Sequence, residues 1–491
     1  MFLIVLSLEI VMEINLNDDT GKSTRSADSD KHVKNRSVVH FAKDSKYQQN
    51  IENQDLKVAN SNASRQSKDK TGYMNLPVVK RRNINNYYHR HQRGGTEWYG
   101  AIIGNFRFYA YSAFYDDRLI PGRAQVPHVV IVGIFNTLIQ EIHCGLWSGS
   151  KFLHLASNVS YYKTLNTRKD RMVKSVIVLC PIRPRNSIPN FVGVDHLKRR
   201  LMIKPLFRVP VEIPQKLEQK KDFMICMNRM YFSKNESVDP IQPINVVEWV
   251  ELNKILGVEF IAVYNHSMEE KIAKVFRYYE AQGFVQIFTR RGTPGEKPND
   301  KPANDVCNVD CIYRFMHAYH KMVNIDIDEI IASYTVDKLK DVLLEEARIQ
   351  NVSYDKTVFE FANQRYFTDD PRVQPGLLKT QFATRHIGPE YWRNTTLLER
   401  SKTIVHPDVC FTVCPHRCDK ENVNPGARRI YVNHTRAVSR HFKSCYKSRS
   451  ETKPQNCTAQ FLRSIEDRSL QRFYPRLYAN VKMVMSQLGF W

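Results

Sequence analysis

The sequence lacks an apolar run long enough to cross a membrane as a helix, which requires about twenty residues. Residues 1–14 are mostly apolar, but they are too few and are interrupted by Glu9 and Glu13. A basic segment before them and a small-residue cleavage site after them, both typical of a signal peptide, are also missing. We interpret residues 1–14 either as a marginal signal or anchor, with a membrane tether possible, or as a truncated start.

Acidic residues are few relative to basic ones: 50 Asp and Glu stand against 73 Lys and Arg, for a formal net charge of +23. Such a charge attracts anionic partners, including nucleic acids, membrane headgroups and the diphosphate of a sugar nucleotide. Nucleic-acid binders usually combine their charge with a recognisable module, such as a zinc finger or an aromatic RNA-binding motif, and the sequence has none. We therefore expect no nucleic-acid partner.

Composition divides the chain into further segments. Residues 15–95 are polar, basic and poor in large aliphatic side chains, which predicts a disordered basic stem. In residues 96–215, short apolar or alternating runs at 106–114, 129–134 and 173–179 predict a small β-rich domain. The remaining domain, residues 220–489, has a different pattern.

Helical and strand patterns alternate three times in this last domain. We predict helices over residues 246–256, 268–282 and 305–319, and strands over 258–264, 284–289 and 322–327. Gly257 and Gly283 follow the first two helices and are natural helix ends. Helices that alternate with short apolar strands predict an α/β fold with a parallel sheet.

An acidic triplet, Asp326, Asp328 and Glu329, lies within the apolar pattern at the end of the third strand. If the strand continues, the side chains of Asp326 and Asp328 point to the same face and repel each other unless a cation lies between them. Oxygen ligands of this kind suit Mg²⁺ or Mn²⁺, and ligands of parallel α/β sheets bind beyond the carboxyl ends of the strands. The triplet therefore predicts a metal-and-phosphate site.

Several blocks together resemble one known family. The segment around Trp249, the run Asn308 to Arg314, the triplet, and the segments at 401–407 and 437–445 occur in the order and spacing of glycosyltransferase family 92. The resemblance covers about residues 222–489, over half of the chain. Residues 109–118 also resemble a block found upstream of the catalytic domain in this family.

The resemblance implies a GT-A catalytic domain, a Rossmann-like nucleotide-sugar-binding fold, over residues 220–489, preceded by the β-rich domain. It implies an inverting, metal-dependent hexosyltransferase that moves galactose from a UDP-sugar donor to a hydroxyl of a glycan or glycoprotein acceptor. Asp326 and Asp328 would hold Mn²⁺ or Mg²⁺. A late histidine, either His441 or His416, would complete the site, and we favour His441.

The same resemblance suggests donor-binding roles for Asn308, Asp310 and Arg314, together with Asp326. The three helical residues have an equally good alternative role in capping and ion pairs. Asp369, Asp370 and Glu390 are candidates for the base that deprotonates the acceptor, and the sequence does not choose among them.

Cysteines and glycosylation motifs bear on the compartment. Ten cysteines and nine Asn-x-Ser/Thr sequons favour disulfides and a lumenal catalytic domain in the secretory pathway, at the Golgi membrane. Cys410, Cys414 and Cys418 with His416 could instead form a zinc site. The alternative function is a non-catalytic glycan-binding protein, secreted or membrane-tethered, with the same fold.

Overall fold

The computed structural model describes the chain from residue 95 to residue 491, with gaps. The predicted N-terminal segment and almost all of the predicted stem lie outside the described residues. The gaps within the described region are residues 97, 104–105, 119–125, 136–141, 157–158, 164–173, 184–187, 196–197, 204, 206, 232–240, 291–300, 372–385, 388–400, 415, 419–425, 446–456 and 464.

An eight-stranded sheet, called here the central sheet, organises the C-terminal part of the chain. Its first five strands are parallel and its sixth is antiparallel to both neighbours. In spatial order the strands are Gly95–Thr96, Val285–Arg290, Phe260–Ser267, Lys221–Tyr231, Tyr319–Ile325, Lys402–Val405, Thr357–Phe361 and Arg428–Tyr431.

The predicted alternation of helices and strands is confirmed. The three helices that connect the parallel strands are Pro243–Leu256, Glu270–Ala281 and Lys301–Phe315. Gly257, at φ 102°, caps the first helix, and Gly283, at φ 71°, follows the second. Both backbone conformations are left-handed, which glycine adopts without steric cost.

The third helix ends at Phe315, four residues earlier than its pattern predicted. The strand after it begins at Tyr319, three residues earlier than predicted. Because the strand ends at Ile325, Asp326 and Asp328 lie in a tight turn between strands Tyr319–Ile325 and Glu329–Ser333. This turn, residues 326–328, is called here the acidic turn. The prediction that they share one face of a strand is therefore wrong. Their position at the carboxyl end of a parallel strand agrees with the prediction.

A nine-stranded sheet is formed by strands between residues 99 and 212, after the first strand of the central sheet and before the other seven. It includes strands at all three segments predicted for the β-rich region. Alternate residues of strand His128–Phe135 pack on opposite faces: Val130 and Val132 contact the core around helix Lys301–Phe315, while Val129 and Ile131 belong to the core of the sheet itself. In spatial order the strands are Lys151–Leu155, His143–Ser148, Phe191–Asp195, Val209–Glu212, Phe106–Asp116, His128–Phe135, Lys174–Pro181 and Ser160–Lys163, with Tyr99–Ile103 beside Phe106–Asp116.

A five-stranded sheet, called here the small sheet, carries the segment that follows the acidic turn. Its strands in spatial order are Glu329–Ser333, Ala437–Lys443, Asn363–Phe367, His386–Ile387 and Ile465–Glu466. A two-stranded hairpin joins Val413–Cys414 to Arg417–Cys418. The other described helices are Lys198–Ile203, Leu339–Ile349, Cys457–Arg463 and Tyr474–Gln487, with a 3₁₀ helix at Ser469–Phe473.

Hydrophobic cores cover both faces of the central sheet. On one face, helices Pro243–Leu256, Glu270–Ala281 and Tyr474–Gln487 bury residues such as Trp249 and Phe276. On the other, helix Lys301–Phe315 is packed between the central and nine-stranded sheets. Parallel strands covered on both faces leave the carboxyl ends of the strands as the place for a site.

Four disulfides form among the described residues: Cys144–Cys180, Cys226–Cys311, Cys410–Cys418 and Cys445–Cys457. The disulfide prediction is confirmed. The zinc alternative is wrong, because two of its three thiolates are joined to each other. No helix in the described part of the chain is long and apolar enough to span a bilayer.

Candidate active site

Strand pairing brings the acidic turn to a residue more than one hundred positions later in the chain. Strands Glu329–Ser333 and Ala437–Lys443 are antiparallel, with Glu329 opposite His441. The backbone N–H of Phe442 donates to the carbonyl oxygen of Asp328 at 2.9 Å, which fixes the turn against the partner strand. The register of the small sheet therefore determines which histidine meets the triplet.

The side chains of Asp328 and His441 are in direct contact. The Nε2 atom of His441 lies 3.0 Å from Oδ2 of Asp328. Burial by itself would raise the pKa of Asp328, but His441, Lys443 and Lys402 outweigh burial and lower this pKa to about 2. Asp328 is therefore a carboxylate at any physiological pH.

Glu329 is buried beneath the turn and holds it from inside. Its Oε2 lies 2.5 Å from Nζ of Lys402 and accepts the backbone N–H of Asp326 at 3.0 Å, and its Oε1 lies 3.4 Å from Nδ1 of His441. Burial alone would lower the pKa of Lys402, but Glu329 and the neighbouring aspartates raise it. Lys402 is therefore a buried cation that the acidic turn neutralises.

The three carboxylates differ in exposure, and this difference divides their roles. The side chain of Asp326 is 47% exposed and that of Asp328 33%, whereas that of Glu329 is only 2% exposed. Two accessible carboxylates beside an imidazole nitrogen form a donor set that fits Mn²⁺ or Mg²⁺. Glu329 and Lys402 support this set.

Sequence reasoning did not assign roles to Glu329 and Lys402. Each is a charged residue within an otherwise apolar strand, a pattern that indicates a buried charge with a partner. The partner could not be identified from the sequence, because the two residues lie on strands of different sheets.

The predicted donor-binding residues Asp310 and Arg314 form a network with Tyr264 of the neighbouring strand Phe260–Ser267. Nε and Nη2 of Arg314 donate to the two carboxylate oxygens of Asp310 at 3.0 and 2.9 Å, and the hydroxyl of Tyr264 donates to Asp310 at 2.6 Å. Arg314 also forms an ion pair with Glu212 of the nine-stranded sheet. These contacts match the alternative, structural role for the pair.

Asn308 is fully buried on the same helix, and neither its amide nitrogen nor its amide oxygen has a hydrogen-bond partner within the described residues. The side-chain oxygens of Asn265 and Asn324, near the carboxyl ends of two parallel strands, are likewise buried and unpaired there. Buried polar groups are normally satisfied, so three such amides indicate a missing partner, either water or a ligand.

The remaining predicted residues lie in different surroundings. Nδ1 of His416 lies 3.3 Å from the carbonyl oxygen of Ser401. Asp369 accepts hydrogen bonds from the Ser444 hydroxyl at 2.5 Å and the Cys445 backbone at 2.8 Å, so it holds the segment after strand Ala437–Lys443. Asp370 is buried, and Glu390 lies outside the described residues.

Comparisons with known proteins identify the class. The family model "Glycosyltransferase family 92" matches residues 221–474, which is over half of the 491-residue chain. The chain therefore belongs to glycosyltransferase family 92, as the resemblance implied, and it is a glycosyltransferase. Enzymes of this class use a nucleotide-sugar donor and a glycan acceptor.

Other comparisons add little. No curated protein matches the chain. One similar solved structure is a Bacillus anthracis protein assigned as a glucose-1-phosphate thymidylyltransferase, in complex with sucrose; the sequences are 16% identical and the TM-score is 0.19. The match covers 32% of this chain and spans 58% of the length of that protein.

Proposed function

We propose that the chain is an inverting, metal-dependent hexosyltransferase that transfers galactose from UDP-galactose to a hydroxyl of a glycan or glycoprotein. The observation that carries the proposal is the contact of His441 with Asp328, beside the exposed carboxylate of Asp326, at the carboxyl end of a parallel strand. The strand order of the central sheet, with its single antiparallel strand next to the acidic turn, supports a GT-A assignment.

The chemistry requires a leaving diphosphate, an attacking hydroxyl and a base. A Mg²⁺ or Mn²⁺ ion, when bound, would supply positive charge for the departing UDP. Asp326, Asp328 and His441 would hold that ion, while Glu329 and Lys402 fix the turn. A carboxylate takes the proton of the acceptor hydroxyl while the hydroxyl oxygen forms a bond to the anomeric carbon of the sugar. The bond from that carbon to UDP breaks on the opposite face, which inverts the configuration.

The unpaired amides support a donor site. Asn308, Asn265 and Asn324 lie on elements that converge at the carboxyl ends of the parallel strands, and their amide groups could bond to the polar atoms of a nucleotide. Arg314 has its guanidinium occupied by Asp310 and Glu212, so we assign this pair to shaping the donor site rather than to binding phosphate.

The identity of the base remains a choice among three carboxylates. Asp369 holds the segment at Ser444, which favours a structural role for it. Asp370 and Glu390 are the other candidates, and replacing each by its amide would identify a base by loss of turnover at unchanged donor affinity.

We also propose a lumenal location in the secretory pathway, at the Golgi membrane. The four disulfides support an oxidising compartment.

A donor screen tests the proposed function. The secreted chain from residue 15 onward, with a signal peptide added, would be incubated with several sugar nucleotides, with Mn²⁺ or with EDTA, and nucleotide release measured. We expect UDP-galactose with Mn²⁺ to give the highest release, and NMR of a glycan product to show an inverted anomeric configuration. Glycan binding without release from any donor would instead support the non-catalytic alternative.

A further inference from the structure

Three metal-ligating side chains converge at the other end of the strand that leads into the acidic turn. They are His320, near the start of strand Tyr319–Ile325; His406, directly after strand Lys402–Val405; and Asp355, two residues before strand Thr357–Phe361. One ligand atom from each lies within 4.8 Å of the other two.

The register of the central sheet explains this convergence. Met322 pairs with Val405, and Ile404 pairs with Phe359, so the ends of three adjacent strands meet at one edge of the sheet. His320 precedes Asp326 by six residues along an extended strand, a distance of about 20 Å. The cluster is therefore separate from the acidic turn.

His406 is buried beside Asp408. Its residue is 5% exposed, its Nδ1 accepts the backbone N–H of Asp408 at 3.2 Å, and the Asp408 carboxylate lies 3.7 Å from the same nitrogen. A metal-ligating histidine donates the N–H of its other ring nitrogen to a carboxylate, a backbone carbonyl or water. Coordination through Nε2 would therefore place the ring proton on Nδ1, where the Asp408 carboxylate at 3.7 Å can accept it.

The other two ligands are available. The side chains of His320 and Asp355 form no hydrogen bond or ion pair within the described part of the chain. The ring of His320 lies 6.0 Å from that of His406. Two cations lie nearby: Lys220 pairs with Asp408 at 3.3 Å, and Lys321, which also interacts electrostatically with Asp355, donates to the carbonyl oxygens of Tyr354 and Thr357.

We propose that His320, His406 and Asp355 form a second metal site, for Zn²⁺ or a similar borderline divalent cation. Two imidazoles and one carboxylate suit Zn²⁺, whereas Mg²⁺ and Mn²⁺ prefer oxygen. Tetrahedral zinc places its ligand atoms about 3.3 Å apart, and Asp355 is exposed in a turn and can rotate to close the difference. The ion would tie three strands together and leave the fourth position to water.

Zinc binding to the chelated, dialysed protein tests this proposal. Calorimetric titration of Zn²⁺ should show a site that survives in Asp328→Asn, where the acidic turn is disabled. His320→Gln and Asp355→Asn should each weaken that site by at least about tenfold. Asp341→Asn, an exposed carboxylate on helix Leu339–Ile349, is the matched control and should bind like the wild type.

Substitution with Co²⁺ reports the ligands directly. We expect a tetrahedral spectrum without a thiolate charge-transfer band, lost in both ligand variants. Since His320 is half-buried and Asp355 exposed, the second variant keeps the test valid if the first is unstable. Wild-type zinc affinity in Asp355→Asn, a thiolate band, or complete loss of zinc binding in Asp328→Asn would each overturn the proposal.

Discussion

Replacing Glu329 by Gln should destabilise the enzyme strongly, although the substitution preserves the size of the side chain. The amide oxygen can still accept the Asp326 N–H, but the charge next to Lys402 is lost. The side chains of Lys402 and Glu329 are 1% and 2% exposed, and their charged atoms lie 2.5 Å apart. Water cannot solvate the Lys402 ammonium once its partner is neutral.

Breaking a buried ion pair by removing one partner costs about 3–5 kcal/mol, because the other charge remains buried. Asp326 lies 3.8 Å from Lys402 and is half-exposed, so it offsets only part of this cost. Lys402→Met should be comparably destabilising. The double variant should recover most of the loss, because an apolar replacement leaves no buried charge unpaired.

Urea unfolding monitored by tryptophan fluorescence would measure these changes, since the indole of Trp249 donates to the carbonyl oxygen of Glu329 at 2.9 Å. The matched control is Glu270→Gln, which breaks a surface pair with Arg277. The control should cost less than about 1 kcal/mol. If Glu329→Gln costs no more than the control, or the double variant is no better than either single variant, the argument for a buried pair is refuted.

Three further predictions concern other parts of the molecule. Removal of the Cys226–Cys311 disulfide, which spans 85 residues, should destabilise the protein by about 4–5 kcal/mol, measured by urea unfolding. Asn433 should carry an N-linked glycan when the chain enters the secretory pathway, because it is exposed and the Thr435 hydroxyl already donates to its side-chain oxygen at 2.9 Å; mass spectrometry after glycosidase treatment would show it. Because the pKa of Asp328 falls to about 2 on folding, its stabilising effect is present above about pH 4 and lost toward pH 2; thermal midpoints of Asp328→Asn should therefore fall less over that range.

Each of these has a control and a contrary outcome. Cys307, which is buried and forms no disulfide among the described residues, should tolerate Ser with a much smaller loss than the disulfide variant. Thr435→Ala should abolish the glycan, and a secreted wild type without sugar at Asn433 would contradict that prediction. An Asp328→Asn variant that loses stability in acid as steeply as the wild type would contradict the prediction for the pH dependence of Asp328.

The alternation of helices and strands was predictable because it depends on local pattern. Apolar spacing and glycine at helix ends placed the first helix within three residues of its observed bounds, and Gly257 ends it as expected. The third strand was placed too late, because Tyr319 to Lys321 include polar residues that are nevertheless buried within the sheet. Local pattern cannot show that Lys321 satisfies its charge on backbone carbonyls.

The candidate site was only half predictable. Asp326 and Asp328 stood out from their apolar surroundings. The meeting of His441 with Asp328 depends on strand register across 113 residues, which periodicity does not encode, and it was anticipated only through the family resemblance. The pairing of Arg314 with Glu212 depends in the same way on the packing of a helix against a different sheet.

The most direct test of the proposed function compares Mn²⁺-dependent nucleotide release from UDP-galactose by the wild type and by Asp328→Asn. The variant should remain folded, since a partly exposed carboxylate is replaced by its amide, and should lose metal-dependent release by several kcal/mol of transition-state stabilisation. Asp341→Asn should retain full activity. A well-folded Asp328→Asn enzyme with wild-type, Mn²⁺-dependent release would contradict the assignment of the acidic turn as the metal site.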